Sequence, residues 1–276
     1  CWMPSLRVRT RTLTAIGIGL FGLSLLSGCA ESKSGLSLGD LEHVHSVATD
    51  GEQFFLASHH GLYVLAGDSW DLRGEEMDLM GFSISEGTFY GSGHPGPGQN
   101  LPDPLGILVS DDGGQSWTPD GLTGEVDFHL LKVVGETMVG VAANYGIVIS
   151  SIDGGQTWSQ IEVPSLTSLD LNPDNGTEML LASEGVLLKA SEVGKPFEPV
   201  ATPTTVNLIE WSDSGIYYAT KTAIFLSPES DGNFTALSEE FNNISALAAD
   251  AGSIIVMDDQ GVHISKDNGT TFELLT

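Results

Sequence analysis

The chain has 276 residues, of which 37 are acidic and 10 basic, giving a net charge of −27. Arg7, Arg9 and Arg11 all precede the first acidic residue, Glu31, so beyond that point 37 acids face only seven bases. Such a surface repels phosphate backbones, which excludes nucleic-acid binding. A hydrophobic fraction of 41% with only 17% charged residues describes a globular chain rather than an acidic disordered tail.

In chain order, the three arginines after Met3 form a positive n-region, and an apolar run follows from Leu13 to Leu26. That run is too short to span a bilayer and has the length of a signal-peptide core. It ends Leu26-Ser27-Gly28-Cys29, which resembles the bacterial lipobox. The expectation is therefore a signal peptide over residues 1–28, with the true start at Met3 and Cys1-Trp2 upstream of it. Cys29 would become the lipidated N-terminus, residues 29–40 a flexible tether, and residues 41–276 a single folded domain. The resemblance implies a membrane anchor through Cys29 and a place in the cell envelope. That place is the outer face of the cytoplasmic membrane, or the periplasm and outer membrane. Cys29 would then be the single cysteine, so neither a disulfide nor a cysteine-based metal site or nucleophile is available.

The remaining chain is repetitive. The segment Ser110-Asp111-Asp112-Gly113-Gly114-Gln115-Ser116-Trp117 recurs at Ser151, with Asp153, Gly155 and Trp158, and again at Ser265, with Asp267, Gly269 and Phe272. Weaker copies start at Ser191 and Ser227, and the steps between successive serines are 41, 40, 36 and 38 residues. A period of that size, with four short strands per unit, predicts an all-β propeller of four-stranded blades. Units begin near His43, Met77, Val126, Ser165, Thr204 and Asn243. That makes six blades; a seventh is the alternative, for which about 235 residues leave little room. The octapeptides match the Asp-box, or BNR repeat. Their serine and aspartate side chains are expected to tie a tight hairpin, with glycines at positive φ and the aromatic lodged between blades. These residues are accordingly structural. Unit one keeps only a remnant, Gly67-Asp68-Ser69-Trp70.

Six of the seven histidines lie in the first three units: His43, His45, His59, His60, His94 and His129. His43 and His45 fall on one face of the first strand by the two-residue period, and folding at Asp50-Gly51 places His59 opposite His43. Starts of first strands and ends of second strands share one end of a propeller. Asp78 and Asp127 therefore join the six histidines around one mouth. Imidazoles with carboxylates suit a transition-metal ion such as Zn or Cu. A partner-binding surface and general acid–base work are the other uses of such a cluster. Gly91-Ser92-Gly93-His94-Pro95-Gly96 fits a dinucleotide fingerprint literally, but the prolines that follow forbid the required helix, so no nucleotide is expected. Residues 96–103 are expected to form a lid or rim beside His94.

The segments His43-Val44-His45, Ser58-His59-His60-Gly61, Asp78-Leu79-Met80-Gly81-Phe82, Gly93-His94-Pro95 and Asp127-Phe128-His129 resemble a family of bacterial lipoproteins with BNR/Asp-box repeats, often labelled glycosyl hydrolase or sialidase-like. The resemblance covers essentially the whole mature chain and implies a shared mouth. A looser similarity extends to the propellers of sialidases, sortilins and photosystem II assembly factors. Exo-sialidase chemistry is excluded, because it requires three arginines and Arg73 is the single arginine beyond the N-terminal segment. Two expectations remain. One is a lipid-anchored, extracytoplasmic propeller binding a ligand, metal ion or partner protein at the mouth; the other is a glycosyl hydrolase or metal-assisted hydrolase using the same residues.

Overall fold

The computed structural model describes residues 34–228 and 230–276, so the signal-peptide expectation and Cys29 lie outside the described residues. The described residues form six four-stranded antiparallel sheets, each built from four consecutive strands. Blade 1 is β1 (Val44–Thr49), β2 (Phe54–Ser58), β3 (Gly61–Ala66) and β4 (Ser69–Arg73). Blade 2 is β5 (Met77–Ser85), β6 (Thr88–Pro95), β7 (Ile107–Ser110) and β8 (Thr118–Gly121). Blade 3 is β9 (Phe128–Val134), β10 (Thr137–Ala142), β11 (Ile147–Ser151) and β12 (Ser159–Ile161). Blade 4 is β13 (Ser168–Leu171), β14 (Met179–Ser183), β15 (Val186–Ala190) and β16 (Phe197–Val200). Blade 5 is β17 (Leu208–Ser212), β18 (Gly215–Ala219), β19 (Ile224–Ser227) and β20 (Thr235–Ala236). Blade 6 is β21 (Ala246–Asp250), β22 (Ser253–Asp258), β23 (Gly261–Ser265) and β24 (Glu273–Leu275). The first strand of each blade neighbours the first strands on either side, which closes a ring of six. Among the described residues no helix is long and apolar enough to cross a membrane.

Each blade buries both faces because its strands alternate in side-chain direction. On β14, Met179 and Leu181 belong to the core shared with blade 3, while Leu180 and Ala182 belong to the core shared with blade 5. Six such cores fill the six inter-blade gaps. The Asp-boxes close the outer hairpins. In the box at Ser151, the serine hydroxyl donates to Asp153 Oδ1 at 2.7 Å and accepts from Gly155 N at 2.9 Å. Asp153 also accepts from Thr157 N at 2.9 Å and Thr157 Oγ1 at 2.7 Å. The boxes at Ser110 and Ser265 repeat this pattern, with Asp112 and Asp267 in the aspartate role. Gly114, Gly155 and Gly269 all sit at positive φ, as the turn demands. The hydroxyl and amide donors hold the Asp112 and Asp153 carboxyls down at about 2. Trp117, Trp158 and Phe272 each edge an inter-blade core, as expected.

Part of the segment expected as a tether is docked on blade 1. Leu36 exchanges two backbone hydrogen bonds with Trp70 at 2.8 and 3.0 Å, and Gly35 N donates to Asp71 Oδ1 at 2.7 Å. Ser37 and Asp40 then cap a short 3-10 helix, Leu38–Asp40.

Candidate functional site

The first strands of blades 1 to 3 each carry one β-bulge near their start, and those of blades 4 to 6 pair without one. The unpaired residue is His45 in β1, Met80 in β5 and His129 in β9. A bulge bends the strand and re-aims its side chain, and bulges gather beside functional sites. Two residues before each bulge stand His43, Asp78 and Asp127. Beyond the cross-strand partner of the intervening apolar residue come His59 and His94 in blades 1 and 2, and Ala143 in blade 3. The three blades thus present the same positions to one end of the propeller.

Local backbone chemistry holds these positions. Gly93 lies opposite the β5 bulge, where a Cβ would collide with the Asp78 carbonyl. The buried Ser92 hydroxyl accepts from Phe128 N at 3.1 Å, tying the bulge of β9 to β6. Asp127 is fixed through its carbonyl, which accepts from Ala143 N at 2.8 Å. Ser58, fully buried, anchors the turn that bears His59 and His60 by accepting from His60 N at 3.2 Å.

Three side chains meet between blades 1 and 2. His45 Nε2 and His59 Nδ1 lie 3.0 and 2.9 Å from Asp78 Oδ1 and 3.3 Å from each other. Among the described residues this is the set of three His, Cys, Asp or Glu donors that all fall within 4.8 Å of one another. Tetrahedral ligation at bonds of about 2.0–2.1 Å places donor atoms about 3.3 Å apart, so the set has the span of a zinc-sized ion. Burial lowers the His45 pKa from its ordinary value against the pull of Asp78, which favours the neutral ring. His43 completes the wall, edge-on to His45 at 4.9 Å and stacked on His59 at 5.2 Å between ring centroids. Its φ of 35° is unusual for a residue with a side chain.

A second cluster lies between blades 2 and 3. Asp127 Oδ2 is 2.9 Å from His129 Nε2 and 3.6 Å from His94 Nε2. His94 Nδ1 faces Asp103 Oδ1 at 2.6 Å. Burial works against the protonated His94 ring, but the Asp103 bond and the charges of Asp127, Asp103 and Asp78 outweigh it and raise its pKa. The loop from Gly96 is a rim pinned down at several points. Gly96 N donates to Gln99 Oε1, Gln99 Nε2 donates to Glu75 Oε2, and Asp103 grips His94.

His60 departs from the expected group. It pairs with Glu42 at 3.3 Å and Glu76 at 4.0 Å rather than with the other histidines. The turn at Ser58 sends neighbouring residues 59 and 60 to different partners. Asp103 and Glu42 are not among the expected donors, because a loop carboxylate carries no spacing signal of its own. His263, outside the expected group, is buried beside Asp258 at 3.0 Å. Arg73 ends β4, the outermost strand of blade 1, and Gly91 to Pro95, the apparent fingerprint, continue β6.

A cavity of about 590 Å³ lies at the opposite end of the ring and is lined by the first strands of all six blades. Its walls carry Asp50, Glu86, Asp213 and Asp250 at the strand ends and the Lys132–Asp170–Glu210 cluster deeper in. Burial and the neighbouring Asp213 and Asp50 charges raise the Asp250 carboxyl.

The BNR/Asp-box repeat matches residues 108–119. No curated protein matches the sequence significantly. Among solved structures, the GH74 enzyme of Niastella koreensis aligns at a TM-score of 0.57 and 13% identity, covering 89% of this chain and 38% of that one. The extracellular domain of BT4673 from B. thetaiotaomicron aligns at 0.55 and 17%, covering 88% of this chain and 35% of that one. YCF48 from Cyanidioschyzon merolae aligns at 0.48 and 13%, covering 88% and 85%. The chain thus spans little more than a third of the first two. At these identities the similarity is one of fold alone. The chain is a six-bladed β-propeller bearing BNR/Asp-box repeats.

Proposed function

We propose that the protein is a lipid-anchored, extracytoplasmic binding propeller whose mouth captures a divalent transition-metal ion, Zn(II) or Cu(II). The ligands are His45 Nε2, His59 Nδ1 and Asp78 Oδ1. The observation that carries this reading is their mutual approach at 2.9 to 3.3 Å. Three donor atoms grouped this closely can all reach one ion placed between them, which a surface for a protein partner does not require. The negative charge of the chain draws cations toward the mouth. The lipobox-like segment ending at Cys29 supports the anchor and the envelope location.

Calorimetry with Zn(II), on full-length protein purified without a histidine tag, tests the site. H45A and D78N should each weaken binding at least about tenfold while the melting transition stays cooperative. Wild-type affinity in both variants would sink this reading. A second reading is metal-assisted hydrolysis, favoured by the three-residue ligand set, which leaves a fourth position open for water. In that case a screen of glycan and ester substrates would find turnover that needs added metal and disappears in H94A.

A further inference from the structure

The ligand set between blades 1 and 2 has a counterpart one blade further on. The first set combines the bulge residue of blade 1 (His45), the residue after the cross-strand partner of the one preceding that bulge (His59) and the residue two before the bulge of blade 2 (Asp78). Moving every position by one blade yields Met80, His94 and Asp127. His94 Nε2 already faces Asp127 Oδ2 at 3.6 Å, as His59 Nδ1 faces Asp78 Oδ1 at 2.9 Å. His129, the bulge residue of blade 3, lies 2.9 Å from the same carboxylate oxygen. One more step around the ring reaches Ala143, so the series stops at two.

Two further observations mark this second set. Asp127 is nine-tenths buried, and its Oδ1 has no hydrogen-bond partner. His94 is oriented from behind by Asp103 at 2.6 Å. That is the carboxylate–histidine arrangement which, in metal sites, fixes the ring and leaves the opposite nitrogen as ligand.

We propose that Met80, His94 and Asp127, with His129 beside them, form a second metal subsite, and that its thioether makes it selective for Cu(I). The inference extends the metal reading of the mouth and differs from it in one donor. Where the first set has a third hard or borderline donor in His45, the second has a soft sulfur. Thioether sulfur favours Cu(I), whereas imidazole and carboxylate suit Zn(II). The mouth then holds two chemically distinct ions side by side, joined through the Asp78–His94 strand pair.

The test is an anaerobic Cu(I) titration of the full-length, untagged chain against a competing Cu(I) chelator, run beside a Zn(II) titration. M80L keeps the side-chain volume and the apolar contacts. It should weaken Cu(I) at least about tenfold and leave Zn(II) unchanged, while H45A should do the reverse. X-ray absorption of the wild-type Cu(I) form should show sulfur in the first coordination shell, a readout that needs no variant. Cu(I) affinity in M80L equal to wild type, or a copper shell without sulfur, overturns the proposal even if H45A abolishes Zn(II) binding. Loss of Cu(I) in M80L with no Zn(II) bound by wild type would uphold this subsite and reject the first.

Discussion

Lys132 carries a single ammonium against two carboxylates inside the ring. Its Nζ lies 3.1 Å from Asp170 Oδ2 and 2.8 Å from Glu210 Oε2. Asp170 also accepts from the amides of Leu171 and Trp211, both at 2.9 Å, so it is the better satisfied of the two acids. One cation neutralises one anion; burial therefore leaves Glu210 holding its proton, with a pKa pushed up to about 8 against the Lys132 charge. Replacing Lys132 by methionine strands the pair without a countercharge and should cost about 3–5 kcal/mol in urea unfolding at pH 7. The pH dependence follows from linkage. Glu210 is more basic in the fold than in the unfolded chain, so its contribution is complete below about pH 4.5 and is lost as pH rises through about 8. Lys132 is shifted upward too, which affects stability only in a more alkaline range. E210Q should therefore lose less melting temperature than wild type between pH 5 and 8.5. Parallel curves would contradict the assignment.

Among elements, hairpins and bulges differ in how they are encoded. An Asp-box is tied within eight consecutive residues by its own hydroxyl, carboxylate and amides, so its sequence is enough to recognise it. A bulge is a mismatch between two strands, and nothing within His43-Val44-His45 or Asp127-Phe128-His129 announces one. The two-residue period put His43 and His45 on one face, but it treated as regular strands what the structure builds as bulges. Gly93 is the element-level control on this geometry. G93A should cost about 1–3 kcal/mol, because its methyl group strikes the Asp78 carbonyl, and should weaken Zn(II) binding through the displaced ligand. Gly121, where a Cβ meets nothing within 4 Å, is the matched substitution that should leave both unchanged. Equal effects of the two would argue against a constrained bulge.

At the scale of the molecule, the ring closes without a shared blade: residues 44–73 complete blade 1 and residues 246–275 complete blade 6. Closure therefore rests on side chains. Trp70, Phe54 and Tyr63 pack with Ala248, Ile255 and Val262 across that gap, and Ser253 Oγ donates to Gly51 O at 2.7 Å. Trp70 belongs to the degenerate box, yet it is 1% exposed, whereas Trp158 of a complete box is only partly buried. W70A should consequently cost about 3–5 kcal/mol and W158A less, with metal stoichiometry intact in both, as read by chemical denaturation and metal analysis. A larger loss for W158A would show that the boxes, rather than this closure, limit stability.

The sequence by itself determined the repeat, the strand order and the blades that carry the histidines. Turn chemistry and strand alternation are local, and they are written in consecutive residues. Only the tertiary structure decided which donors face one another. It split the expected group between two clusters, gave Asp103 to His94, removed His60 to Glu42 and Glu76, and put Met80 at the bulge of β5. Those outcomes depend on register between strands and on the step from one blade to the next, distances that span tens of residues and have no local signature.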